Sequence, residues 1–176
     1  MKTTNNWLLA AVLITMICAS CSHIPKGAKP VSGFQPDRYL GKWHEIARFD
    51  YVFERNLNNV TATYSYNQNG TIKVLNSGYN YKKEAWKSAT GKAKFRNDRS
   101  TGALKVSFFG PFYAAYNVIA IDQDYQYALV AGKNLKYLWI LSRTPAIPAG
   151  IKQQYLEKAA AIGYDTKGLI WVDHNK

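Results

Sequence analysis

Cys18 and Cys21 stand as C-x-x-C near the start of the chain, a spacing that suits a dithiol redox pair. Such a pair works at a strand-to-helix junction inside a folded domain. Here it closes an apolar run instead. Lys2 is the only charge in residues 1–20, an apolar stretch leads from Trp7 to Cys18, and the small residues Ala19 and Ser20 precede Cys21. A charged start, an apolar middle and a small-residue end predict a cleaved export signal over residues 1–20; a membrane-spanning helix needs about 20 apolar residues, more than the run supplies. Cleavage before Cys21 leaves one thiol in the mature chain, so the body has no internal disulfide and no cysteine nucleophile.

The other candidates for chemistry are few. His23, His44 and His174 are scattered, and with no clustered cysteines they do not make a metal site. A general base must face its substrate. His44 alone falls in a strand-like segment, and alternation puts it on the face opposite Trp43. We expect no catalytic residue, metal or cofactor, and a protein that is not an enzyme.

The chain carries a formal net charge of +12 and is 47% hydrophobic and 14% aromatic, with 13 tyrosines. Its basic residues are spread along many segments rather than gathered in a stripe, which argues against nucleic acid as a partner. Anionic lipid headgroups or ligands fit this charge, as does a solvated basic surface. The tyrosine-rich, methionine-poor composition favours strands.

From residue 41 to 143 the chain reads as eight β segments: 42–49, 59–67, 71–80, 88–96, 103–109, 114–122, 125–131 and 137–142. Turn residues such as Asn69-Gly70 and Asn97-Asp98 separate them at the spacing of a barrel or sandwich, about 8–12 residues. Lys92 and Lys94 alternate with Ala93 and Phe95, and Lys105 and Ser107 with Leu104, Val106 and Phe108, so one face is dry. Beyond Pro145 and Pro148, Ile151, Tyr155, Leu156, Ala159 and Ile162 recur at helical spacing until Gly163. This helix packs on the strands or, alternatively, on a membrane. A last extended segment, 168–172, contains Trp171. Residues 22–35, with two prolines and two glycines and no apolar period, read as part of a tether over 21–36 with a reach of roughly 45 Å.

Ile17-Cys18-Ala19-Ser20-Cys21 resembles the lipobox of bacterial lipoproteins, with Cys21 in the lipidated position. The resemblance implies acyl chains on Cys21, and Ser22 after it implies sorting to the outer membrane, facing the periplasm of a Gram-negative bacterium. Further along, Gly41-Lys42-Trp43 resembles the first signature of the lipocalins. Asn117 to Asp122 followed by Tyr125 to Val130 resembles the second, and Leu138 to Arg143 the third. The wording is most similar to the bacterial lipocalins, the outer-membrane lipoprotein branch that resembles apolipoprotein D. That implies an all-β fold, an eight-stranded antiparallel up-and-down barrel with a C-terminal α-helix, over 37–176. It also implies that Arg143 lies over Trp43 and, with Gly41, closes one end.

With Arg143 inward, alternation places Leu141 and Trp139 on the inner wall beside Phe95, Leu104, Val106 and Phe108. Phe108 to Tyr113 is aromatic where a turn should be polar, marking a cavity rim, a partner surface or a packed hairpin end; Tyr113 and Tyr116 would offer hydroxyls to a headgroup at the mouth. The resemblance implies that the barrel binds, and stores or transports, fatty acids, lysophospholipids or similar apolar ligands. An envelope scaffold without transferable ligand, a lipocalin-type enzyme and a transmembrane barrel are the alternatives. The aromatic rim also leaves room for a homodimer.

Overall fold

The structure, a computed structural model, describes residues 24–175; the export signal, Cys18, Cys21 and His23 lie outside them. One turn of helix, α1 (Pro36–Tyr39), precedes eight strands: β1 (Gly41–Arg48), β2 (Leu57–Tyr66), β3 (Ile72–Asn80), β4 (Ala85–Phe95), β5 (Ala103–Phe109), β6 (Phe112–Ile121), β7 (Tyr127–Ala131) and β8 (Leu138–Ser142). Each strand pairs antiparallel with the next, and β1 pairs with both β2 and β8, closing the barrel. The helix α2 (Ala149–Ile162) and a short strand β9 (Ile170–Trp171) follow.

Register explains the lysine pattern. Ala93 faces Val106 and Phe95 faces Leu104 on the dry side, while Lys94 faces Lys105 in water. Lys73, Lys92, Lys94 and Lys105 are all exposed. In a wall facing hydrocarbon each would cost about 2–4 kcal/mol at mid-depth, which disfavours a transmembrane barrel.

Strands β7 and β8 lack that pattern because both of their faces are covered. Val130 and Leu141 belong to the barrel interior with Trp43, Tyr64 and Val74. Leu129, Leu138 and Ile140 lie in a second core with Ile119 and with Tyr155 and Ala159 of α2. The helix therefore packs on the barrel. It stops where expected: Gly163 takes φ 106°, and its N–H and that of Tyr164 turn back to Ala160 O and Ala159 O.

Strand β1 carries a bulge. Glu45 is opposite Leu141, but the next partner, Ile140, faces Ala47. A bulge re-aims the residues beyond it. Trp43 packs inward before it, Ile46 and Ala47 join the outer core, and Arg48 turns back to Glu45. The upper half of β1 has parted from β2, whose ladder covers only Gly41 to His44, and β9 pairs there instead, with Ala47 opposite Trp171.

Strand ends shift by up to three residues from the sequence reading, the fourth strand starting at Ala85 rather than 88, and three differences bear on the fold. The seventh strand starts at Tyr127, because Tyr125 has φ 57° and its ring is buried in the barrel floor. Helix α1, with Pro36 in its first turn, was not anticipated. The tether over 21–36 does not stay free: Ala28 is buried in the outer core, Val31 bonds through its main chain to Gly102 and Val118, and Phe34 is buried in the inner core. Ala28 enters the outer core while Val31 and Phe34 pack into the inner one, so the three share no period.

Candidate functional site

The closed end is sealed by polar groups that satisfy one another. Trp43 is fully buried, and the Arg143 guanidinium lies 3.9 Å from its ring centroid. Arg143 donates to the carbonyls of Tyr125 (3.1 Å), Lys42 (2.9 Å) and Arg38 (2.7 Å), and the indole N–H donates to Tyr39 O at 2.8 Å. Gly41 has φ 91°, and a Cβ there would sit 3.4 Å from Arg143 Nη1, so glycine suits both the turn and the approach of the arginine. Inside this seal, Tyr39 and Tyr116 hydroxyls are 2.6 Å apart, and those of Tyr64 and Tyr116 2.9 Å. Burial pushes all three hydroxyls well above the ordinary tyrosine range, which keeps them neutral.

Above the floor lie two adjoining chambers of about 390 and about 220 Å³, both bordered by Tyr51, Glu54, Asn76, Val106 and Phe108. Such volumes and mostly apolar walls suit a small ligand. The outer chamber reaches Phe53, Phe109 and Phe112 at the mouth; the inner one reaches Tyr64, Tyr116, Trp139 and Leu141. Asn76 borders both chambers, and its Oδ1 is buried without a hydrogen-bond partner.

One wall is charged. Arg48 donates from Nη1 to Glu45 Oε1 at 2.8 Å and from Nη2 to the carbonyls of Glu54 (2.6 Å) and Leu57 (3.2 Å), while its Nε lies 4.0 Å from Glu54 Oε2. Trp139 Nε1 donates to Glu54 Oε2 at 3.2 Å. Two carboxyls thus share one guanidinium. Burial raises the pKa of both, and the proximity of Glu54 raises that of Glu45 further.

Of the residues nominated from sequence, Gly41, Trp43 and Arg143 meet at the closed end, and Trp139, Leu141, Val106 and Phe108 border the chambers. Phe95 and Leu104 do not: they lie in the inner core at the floor, Phe95 beside Phe34 at 6.3 Å. Tyr116 is a floor residue, not a mouth residue, because β6 runs downward from Phe112 and Tyr116 already faces Leu104. Tyr113 borders the outer chamber, but Lys94 and Lys105 Nζ stand 5.9 and 5.3 Å from its ring, among the outward lysines.

Glu45, Glu54 and Asn76 were missed. Asn76 was within reach, since β3 points Ile72 and Val74 inward and alternation continues to Asn76. His44 lies away from the chambers, its ring centroid 5.2 Å from that of His174, and burial, then Lys42, holds its pKa below the usual value. Among the described residues no group of three or more His, Cys, Asp or Glu side chains is placed to hold a metal ion.

Comparison with known proteins agrees with this geometry. Residues 34–174 match the model of the lipocalin-like domain. The outer membrane lipoprotein Blc of Citrobacter freundii is 53% identical over 94% of this chain and 94% of its own length. Apolipoprotein D of Rattus norvegicus is 34% identical over 78% and 77% of the two chains. Among solved structures, insecticyanin from the tobacco hornworm Manduca sexta superposes with a TM-score of 0.67 at 21% identity, over 82% of this chain and 83% of that one, a likeness of fold.

Proposed function

The chain belongs to the lipocalin family, and from that premise we propose that it is a lipoprotein of the Gram-negative outer membrane, held by acyl chains on Cys21, whose barrel binds fatty acids, lysophospholipids or similar apolar ligands and stores or transports them. The observation that carries the reading is the pair of chambers above a sealed floor: apolar walls from Val106, Phe108 and Leu141 suit a hydrocarbon chain, and Asn76 and Glu54 give a polar end something to bond. The relatives named outer membrane lipoprotein support the anchor and its compartment. Two or more acyl chains would hold the protein stably, since each buried methylene contributes about 0.8 kcal/mol.

Native mass spectrometry of the body from Ser22 onward tests the cavity. We expect a lipid-sized mass to co-purify, or added lysophospholipid and fatty acid to bind. A body that stays empty and binds neither would sink the carrier reading.

A further inference from the structure

At the open end, the loop between β1 and β2 and the hairpin between β5 and β6 carry apolar side chains into solvent. Phe53 is 59% exposed, Phe109 66% and Phe112 78%, with Val52 beside them at 64%. Phe53 and Phe109 meet across the mouth with ring centroids 5.7 Å apart, so the two loops form one patch. Exposed Lys82, Lys83, Lys133 and Lys136 stand on the neighbouring open-end loops. A cluster of aromatics ringed by lysines has the chemistry of a surface that enters a bilayer interface and meets anionic headgroups.

The way the N-terminal segment joins the barrel is an independent observation. A Cβ on Gly27 would lie 3.8 Å from Ile162 Cγ1, at the end of α2, and one on Gly163 would lie 3.6 Å from Leu135 Cδ1, in the β7–β8 loop at the open end. The chain therefore leaves the barrel on its open side. From Gly27 back to Cys21 it can span about 20 Å at full extension. The β5–β6 hairpin rises beyond the end of β7, since Asn117 faces Ala131, the last residue of β7, and β6 continues up to Phe112. At the strand rise that overhang is about 17 Å. The free chain is therefore long enough to bring Cys21 level with the hairpin tip.

Resting on the Cys21 anchor proposed above, we infer that the mouth of the barrel docks on the bilayer that holds the anchor, with Phe53, Phe109 and Phe112 in the interface and the closed end turned away. A lipid could then pass between leaflet and cavity without crossing water.

An acylated Cys21 has no free thiol, so one introduced cysteine is the sole labelling site in the mature chain. The lipidated protein carrying Phe112→Cys or, at the closed end, Asn69→Cys is labelled with a polarity-sensitive nitrobenzoxadiazole dye. It is reconstituted in vesicles of phosphatidylethanolamine and phosphatidylglycerol, some with spin-labelled lipid. We expect a blue shift and quenching by the spin-labelled lipid at position 112, and a water-like, unquenched signal at 69. Quenching at 69, or a water-like signal at both, overturns the inference. A blue-shifted label at 112 that spin-labelled lipid does not quench overturns it too, in favour of a second copy covering the rim.

Should the chain carry no acyl group, the same substitutions are made in the body from Ser22 onward, which holds no native cysteine; it is labelled and added to the vesicles from solution, and failure to co-sediment overturns docking. Docking by an empty body defeats only the carrier reading; lipid loading with position 112 in water defeats only the docking.

Discussion

At the closed end of the barrel, the groups that make the seal answer to each other: Arg143 to three carbonyls and the Trp43 ring, Tyr39 and Tyr64 to the Tyr116 hydroxyl. At the open end the accounts do not balance. Glu45 and Glu54 share one arginine, Asn76 Oδ1 has no partner, and aromatic rings stand in solvent. Buried polar groups left over after folding cost stability unless something else meets them. The contrast separates an end whose polar groups are met within the fold from an end that leaves bonding capacity unused.

The largest test of that contrast is Trp43→Ala. Removing a fully buried indole and the surface under Arg143 should lower stability by about 3–5 kcal/mol in chemical denaturation, while the protein that remains folded keeps its ligand affinity. Lost affinity at unchanged stability would mean that the floor is part of the binding surface.

Smaller, and opposite in sign, is Glu54→Gln. Both buried carboxyls have folded pKa values raised above the unfolded ones, so their protonated forms favour the fold, and that stability is lost as pH rises from the ordinary carboxylate range, about 4, through the raised values. Glutamine still accepts from Trp139 but removes one of two competing charges. The variant should be more stable than the parent at neutral pH and show a flatter stability profile between acid and neutral conditions. An unchanged profile would show that Glu54 carries no share of the pH dependence.

The smallest effect on stability belongs to Asn76→Leu. With no protein partner to lose, stability should hold or rise slightly, whereas affinity for a ligand with a hydrogen-bond donor should fall by about 0.5–1.5 kcal/mol, read by isothermal titration. If stability drops and affinity stays, Asn76 belongs with the closed end in role.

The same contrast decides what the sequence made legible. Strands with one wet face declare themselves: Lys92, Lys94 and Lys105 gave β4 and β5 their inward residues. The Trp43 and Arg143 pair was accessible through the lipocalin signatures. What escaped depends on displacement from regular geometry. The bulge between Glu45 and Ala47 lets Glu45 and Arg48 meet within one strand, and the β1–β2 loop folds Glu54 back onto the barrel wall, neither of which alternation foresees. Height was the other loss: alternation tells which face Phe95, Leu104 and Tyr116 take, but not that they sit at the floor. Ala28, Val31 and Phe34 were hidden because their burial follows no period.

The seam where β1 meets β8 and β9 has a consequence in time. Glu45 faces Leu141 and Ala47 faces Trp171, so the earliest strand waits for the latest ones. Loops that long close slowly, and proteins dominated by such distant pairings fold in milliseconds to seconds rather than microseconds. A chain that emerges N-terminus first therefore leaves the seam edge of β1 unpaired until residues 138–142 and 170–171 arrive.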